Sequence, residues 1–245
     1  MKTTLLIPVL DEIEGMKAVL PRIRKEWVDE IIVVDGGSKD GSFEYARSLG
    51  LTTIRQKSKG IVGAYWEALS IAQGEVIIPF SPDGNSVPER IPELVEKMRE
   101  GYDMVIVSRY LHGAKSEDDD PVTAFGNWMF TRMINLLFGG HYTDALVMFR
   151  AWRRRLAETL EMSDRSRAGF ETKFSIDCAR KKLKVAEIPG DEPKRIGGSK
   201  KKSHPLTNGK DVLLLILKEF FTPLQAGSLG SMNQSVASSS VSTQG

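Results

Sequence analysis

The chain of 245 residues holds one cysteine, Cys178, so no internal disulfide can form and a reducing compartment is the expectation. Histidine is nearly as scarce: His112, His141 and His204 are scattered and make no metal-binding set. No charge of one sign dominates, and a formal net charge of +2 is too small to mark a nucleic-acid partner. Long apolar runs are missing. Leu5-Leu6-Ile7 stops at Pro8, too short for a signal-peptide core. The most apolar stretch, residues 212–217, ends at Lys218-Glu219, well short of the roughly 20 residues that cross a bilayer. A soluble or surface-bound protein is therefore expected. There is also no G-x-G-x-x-G fingerprint, which disfavours a dinucleotide enzyme, and no Gly-rich triphosphate loop near the N-terminus.

What is present is an alternation. Residues 3–8, 30–34, 52–56, 75–80 and 104–107 read as buried strands, and residues 16–26, 42–49, 62–72 and 89–100 read as the helices between them. That rhythm predicts an α/β fold with a mostly parallel, doubly wound sheet, and the length suits a single domain. Pro21 inside the first helix predicts a kink or a late start. Beyond residue 107 the rhythm changes: a polar loop over 108–121, then a helix over 122–138 rich in large apolar residues. A strand over 142–149, helices over 151–161 and 170–181 and a strand over 184–188 follow. A basic loop covers 189–205, and Asn208 can cap a last amphipathic helix over 209–221. The expected division is thus 1–205 as the folded domain, 206–222 as an amphipathic helix and 223–245 as a tail. That tail is almost all small and polar, reads as disordered, and carries Gly230-Ser231-Met232, which resembles a cloning junction.

Three strand ends carry oxygen-rich loops. Strand one runs into Pro8-Val9-Leu10-Asp11-Glu12, and strand two into Asp35-Gly36-Gly37-Ser38-Lys39-Asp40. Strand four runs into Ser81-Pro82-Asp83-Gly84-Asn85. Asp83 and Asn85 are hard oxygen donors two residues apart, able to reach one divalent cation, although the same residue types also build ordinary turns. An acid such as Asp35 at a strand end can bond a ribose or base edge, whereas Ser38 and Asp40 suit capping of the next helix. Three such loops on one sheet edge point to a nucleotide diphosphate with its metal.

The ordered series IPVLDE, VVDGGSKDGS, SKGIVGAYWEAL, GEVIIPFSPDGNSVPE, SRY, GNWMFTRMINLLFG, TDALVMFRA, GFE and EIPGDEPKRIGGSKKK resembles the family 2 glycosyltransferases. Its nearest branch is the polyprenyl-phosphate sugar transferases typified by dolichol-phosphate mannose synthase. The resemblance implies a GT-A fold and inverting transfer from a nucleotide-sugar donor, GDP- or UDP-linked, to a polyprenyl phosphate. By position it implies that Pro8, Asp11, Glu12 and Asp35 line the nucleoside pocket. Asp83 and Asn85 would hold Mg2+ or Mn2+, and Arg109 would lie near the donor and acceptor phosphates. Arg195, Ser199 and Lys200 would close over the pyrophosphate. The chain departs from the family in three places: Ser81 stands for the first acid of the D-x-D motif, Val147-Met148-Phe149-Arg150-Ala151 for S-G-F-R-A, and Ala124-Phe125 where an arginine pair is usual.

A phosphate acceptor is already largely dianionic at neutral pH and can attack unaided. A hydroxyl acceptor needs a general base, worth about 10²–10⁴-fold, and the resemblance implies Asp144 as the candidate, with orienting Arg150 or capping a turn as its other reading. A nucleotide-binding module without turnover is the remaining alternative. The lipid acceptor implies peripheral attachment at the cytoplasmic membrane face, or a membrane partner subunit. For this the basic run of residues 194–202 beside the last helix is suited.

Overall fold

The computed structural model describes residues 1–159, 170–197 and 205–222. Its strands are β1 (Thr3–Val9), β2 (Glu30–Asp35), β3 (Thr52–Arg55), β4 (Val76–Pro79), β5 (Met104–Ser108), β6 (Arg150–Arg153) and β7 (Val185–Pro189). They form one seven-stranded sheet in the order β3-β2-β1-β4-β6-β5-β7. Every pairing is parallel except those of β6, which runs antiparallel between β4 and β5. Covered on both faces, the central strands need apolar residues at successive positions, and Leu5, Leu6, Ile7, Ile77, Ile78 and Met104 through Ile106 are fully buried.

The helices are α1 (Ile13–Val19), α2 (Ser42–Ser48), α3 (Gly60–Ile71), α4 (Ile91–Arg99), α5 (Pro121–Phe138), α6 (Arg154–Thr159), α7 (Phe170–Arg180) and α8 (Pro205–Phe221). Helix α5 has strong end signals. The Asp120 carboxylate accepts from the Val122 and Thr123 N–H groups at 3.0 and 2.9 Å, and Gly139, at φ +74°, stops the helix. Helices α5, α7 and α8 pack together, with Val212, Leu215 and Ile216 of α8 buried. Glu219 of α8 pairs with Lys173 at 3.2 Å and Arg180 at 3.3 Å. The expected boundary at residue 205 thus falls at the start of a helix whose inner face is part of the core. The tail 223–245 lies outside the described residues.

Four expectations shift. The helix expected over 16–26 is α1 followed by 3-10 turns at Leu20–Arg22 and Lys25–Trp27. It starts early because the Asp40 carboxylate receives the Ile13 N–H at 2.9 Å, and it ends before Pro21, which cannot donate to a continuing helix. Residues 142–149 are not a strand. The Arg150 guanidinium folds back on that segment, donating to the Val147 carbonyl at 2.8 Å and the Ala145 carbonyl at 3.1 Å, which occupies the groups a ladder would use. The strand runs instead over Arg150–Arg153, so that residues 151–153 of the span expected to be a helix are strand, and α6 follows it. Helix α8 begins at Pro205, so Asn208 lies within its first turn rather than capping it.

Candidate active site

Parallel strands bring their carboxyl ends to one edge. β1 delivers Asp11 and Glu12 there, β2 delivers Asp35, β4 delivers Asp83 and Asn85, β5 delivers Arg109, and β7 delivers Glu192 and Arg195. Because β6 runs the other way, the loop before it, with Asp144, reaches the same edge.

On the β1–β2 side the acids serve the backbone. Asp35 is fully buried and accepts the Gly37 and Ser38 N–H groups, each at 3.0 Å, folding its own loop into a tight turn. Asp11, at φ +54°, accepts the Lys39 N–H at 2.7 Å and donates its own N–H to Ser38 Oγ at 2.9 Å. Asp40 receives Ser42 Oγ at 2.6 Å as well as the Ile13 N–H. Partial burial alone would raise its carboxyl, but these bonds outweigh burial and hold it below the usual range. Asp40 thus bonds the first residues of both α1 and α2, whereas Ser38 bonds Asp11 and no helix end, and together they fasten the two loops. Pro8 sits beside them in register with Val34, half-buried.

The β4 loop is closely seated. A Cβ built on Gly15 of α1 would lie 2.3 Å from the Pro82 carbonyl oxygen, so only glycine lets α1 approach this loop. Asp83 is 3% exposed. Its Oδ1 accepts the Asn85 N–H at 3.2 Å, and its Oδ2 lies 3.0 Å from Arg195 Nη1. Asn85 donates Nδ2 to Glu192 Oε1 at 3.4 Å, and its amide oxygen accepts the Ser86 hydroxyl at 3.4 Å and keeps a second lone pair. A carboxylate and an amide oxygen two residues apart are donor types that could hold a divalent cation. Ser81, half-buried, stands where the family carries another acid.

On the β5–β7 side the acids serve guanidinium groups. Arg109, 8% exposed, meets the fully buried Asp144 through Nε at 2.7 Å and Nη2 at 3.0 Å, and its backbone N–H adds a third bond to that carboxylate at 3.2 Å. Nη1 lies 3.2 Å from Glu192 Oε2 and 3.5 Å from Asp119. Burial works against the charge on Arg109, and Asp144 and Glu192 more than restore it. Burial raises the Glu192 carboxyl, with Arg109 and a short bond from Ser116 opposing. Glu187 holds the same loop from below, accepting the Thr143 N–H at 2.8 Å and the Asp144 N–H at 3.1 Å. Arg195 completes the cluster with Asp118 at 3.1 Å. Five carboxylates thus share two guanidinium groups: Asp83, Asp118, Asp119, Asp144 and Glu192 around Arg109 and Arg195.

The expected residues Pro8, Asp11, Glu12, Asp35, Asp83, Asn85, Arg109, Asp144 and Arg195 all lie on this edge; Ser199 and Lys200 lie outside the described residues. Asp144 contacts Arg109 rather than Arg150, whose donors go to carbonyls and to Ser175 Oγ at 3.1 Å. Sequence reasoning missed Glu187 and Glu192, and it read Asp118 and Asp119 only as part of the polar loop over 108–121. The one available signal was Asp191-Glu192 inside the otherwise basic loop of 189–205.

An open, mostly parallel sheet with polar loops gathered at its carboxyl edge is the α/β arrangement in which ligands bind outside the strand ends. Residues 4–160 match glycosyl transferase family 2, and the chain belongs to that family: it is a glycosyltransferase with a GT-A fold. It is 27% identical over 215 residues to glycosyltransferase AglJ of Haloferax volcanii, covering 86% of this chain and 69% of that one. It is 30% identical over 208 residues to dolichol-phosphate mannosyltransferase of Pyrococcus furiosus, covering 77% of this chain but 56% of the relative. Among solved structures, glucosyl-3-phosphoglycerate synthase from Mycobacterium tuberculosis has been crystallised with Mn2+, uridine diphosphate and phosphoglyceric acid. It shares the fold at a TM-score of 0.70 and 21% identity, over 92% of this chain and 80% of that one.

Proposed function

We propose that the protein transfers a sugar, with inversion, from a nucleotide-diphosphate donor to a polyprenyl phosphate, using a divalent cation. The observation that carries this reading is Asp144. It is fully buried, and both of its oxygens are taken by Arg109, so it is an anchor and not a free base. A phosphate acceptor needs no base: its oxygen forms the new bond to the anomeric carbon as the bond from that carbon to the donor diphosphate breaks, and no proton moves. The name of the Pyrococcus relative supports the same acceptor class.

The carboxylate excess argues for the cation. With all groups ionised the cluster carries a net three negative charges, and a diphosphate would be repelled from it. Asp83 and Asn85 would hold Mg2+ or Mn2+, which when bound supplies Lewis-acid neutralisation of the leaving diphosphate. Asp35, Asp11, Glu12 and Pro8 line the place for the nucleoside, and Arg195 adds positive charge beside the phosphates. Ser199 and Lys200 belong to the same proposal by family position.

No helix among the described residues is long and apolar enough to cross a membrane. An exposed apolar surface is present nonetheless: Val122, Phe125 and Trp128 on α5, and Leu214, Phe220 and Phe221 on α8. A face of that kind suits shallow contact with a membrane or a membrane subunit, and we place the enzyme at the cytoplasmic leaflet, where such acceptors are charged.

The test is a panel of GDP- and UDP-sugars with Mn2+ or Mg2+ and a short polyprenyl phosphate, read by mass spectrometry of the lipid product. Asp83→Ala is expected to abolish transfer with the fold intact, while Asp144→Asn, which keeps one oxygen for Arg109, loses less than about tenfold. A loss of about 10²–10⁴-fold in Asp144→Asn would instead mark a base and a hydroxyl acceptor. Chelator-resistant transfer by Asp83→Ala would remove the cation from the reading.

A further inference from the structure

Arg195 occupies one of the two Asp83 oxygens open to a cation, and the other accepts the Asn85 N–H at 3.2 Å. Arg195 Nη1 lies 3.0 Å from Asp83 Oδ2, and its Nε is held 3.1 Å from Asp118 Oδ2. The backbone is fastened at the same place, where the Ile196 N–H donates to the Asp83 carbonyl at 2.8 Å. The Ile196 side chain rests on Gly84, at which a Cβ would come within 2.6 Å of it, and Gly197, at φ +73°, crosses Glu14 with no room for a side chain. Asp83 is nearly inaccessible beneath this cover. A guanidinium and a divalent ion repel one another, so a cation on that oxygen competes with Arg195.

We infer that Arg195 is the resident counter-charge of the cation site, and that a divalent ion reaches Asp83 by displacing it. The inference rests on Asp83 as the cation ligand. Asp118 keeps its hold on Nε, so the displaced guanidinium turns about that contact and does not leave, and its Nη1 becomes free for another anion. The donor diphosphate is that anion. One ion pair is thereby exchanged for two, cation with Asp83 and Arg195 with phosphate, which makes cation and donor bind cooperatively. Without donor, the cation must break a buried pair and is held weakly.

The experiment titrates Mn2+ alone into the full chain, with free Mn2+ followed by electron paramagnetic resonance and the fold checked by circular dichroism. Arg195→Gln is expected to bind Mn2+ about tenfold more tightly than the parent, equivalent to about 1.4 kcal/mol, although its transfer activity falls. Arg195→Lys, which keeps a charge but cannot bridge two carboxylates in the same way, falls between them and guards against a folding defect in the first variant. Asp83→Asn separates the two ideas. If it abolishes Mn2+ binding while all three Arg195 forms bind alike, Arg195 does not guard the site and the inference fails alone. If Asp83→Asn binds Mn2+ as the parent does, the cation assignment and the inference fail together.

Discussion

The two sides of the candidate site use the same residue type in opposite ways. On the β1–β2 side, Asp35 and Asp40 accept N–H groups and hydroxyls from residues two or three positions on, and Asp40 also receives the Ile13 N–H. On the β5–β7 side, the carboxyls of Glu187 and Glu192 are pushed above their usual range by burial. There Asp144 and Glu192 are held by Arg109, a residue 35 and 83 positions away along the chain. One side is a pair of self-organised loops; the other is a buried charge network that exists only once the sheet has closed.

Removal of the network's centre is the most severe test of that contrast. Arg109→Ala would leave Asp144 and Glu192 buried without their main counter-charge. Breaking a buried pair by deleting one partner costs about 3–5 kcal/mol. Denaturant unfolding should register a loss of this size, together with loss of transfer. A loss below about 1 kcal/mol would show the network to be solvated like a surface pair.

The same contrast explains what could be read in advance. Asp35, Asp83 and Asn85 were legible because a strand end, a glycine and a polar side chain follow one another within a few residues, and local hydrogen bonds do the rest. The sheet was legible for a similar reason, since buried parallel strands read as continuous apolar runs. Residues 142–149 misled because their β-prone composition is overruled by Arg150, whose carbonyl contacts depend on α7 through Ser175 and Glu171. Glu192 was hidden for the same reason: nothing near it in sequence announces Arg109, Ser116 or Asn85. Long-range burial of charge leaves little local signature.

Acidity should separate the two sides by sign. Burial raises the carboxyls of Glu187 and of Glu171, the latter with Arg150 opposing the shift. A carboxyl raised in the folded state contributes stability that is complete below its unfolded value, about 4.3 for Glu, and is lost as pH rises through the folded value. Asp40 is lowered, so its contribution is present above about 3.9 and disappears as pH falls through its folded value. Melting followed by circular dichroism should therefore show the parent gaining stability as pH falls from neutral towards 5. Glu171→Gln should flatten that gain. Asp40→Asn should leave it intact and instead blunt the loss below about pH 4. A parent whose stability rises with pH across the upper range would reverse the assignment for the β5–β7 side.

The smallest effect should come from Arg55, the β1–β2 side's nearest counterpart to Arg109. Arg55 also faces a fully buried aspartate, with Nη1 3.9 Å from Asp35 Oδ2, but the arginine side chain is 53% exposed and is shared with Glu44 at 3.4 Å. It also lies over the Phe43 ring at 4.0 Å, a contact of about 0.5–1 kcal/mol at exposed sites. Asp35 does not depend on it, because the Gly37 and Ser38 N–H groups already satisfy that carboxylate. Arg55→Ala should therefore cost no more than about 1 kcal/mol in denaturant unfolding, as exposed pairs do. A cost approaching that of Arg109→Ala would mean that Asp35 too needs a counter-charge brought from a neighbouring strand. The two sides of the edge would then differ in exposure and not in kind.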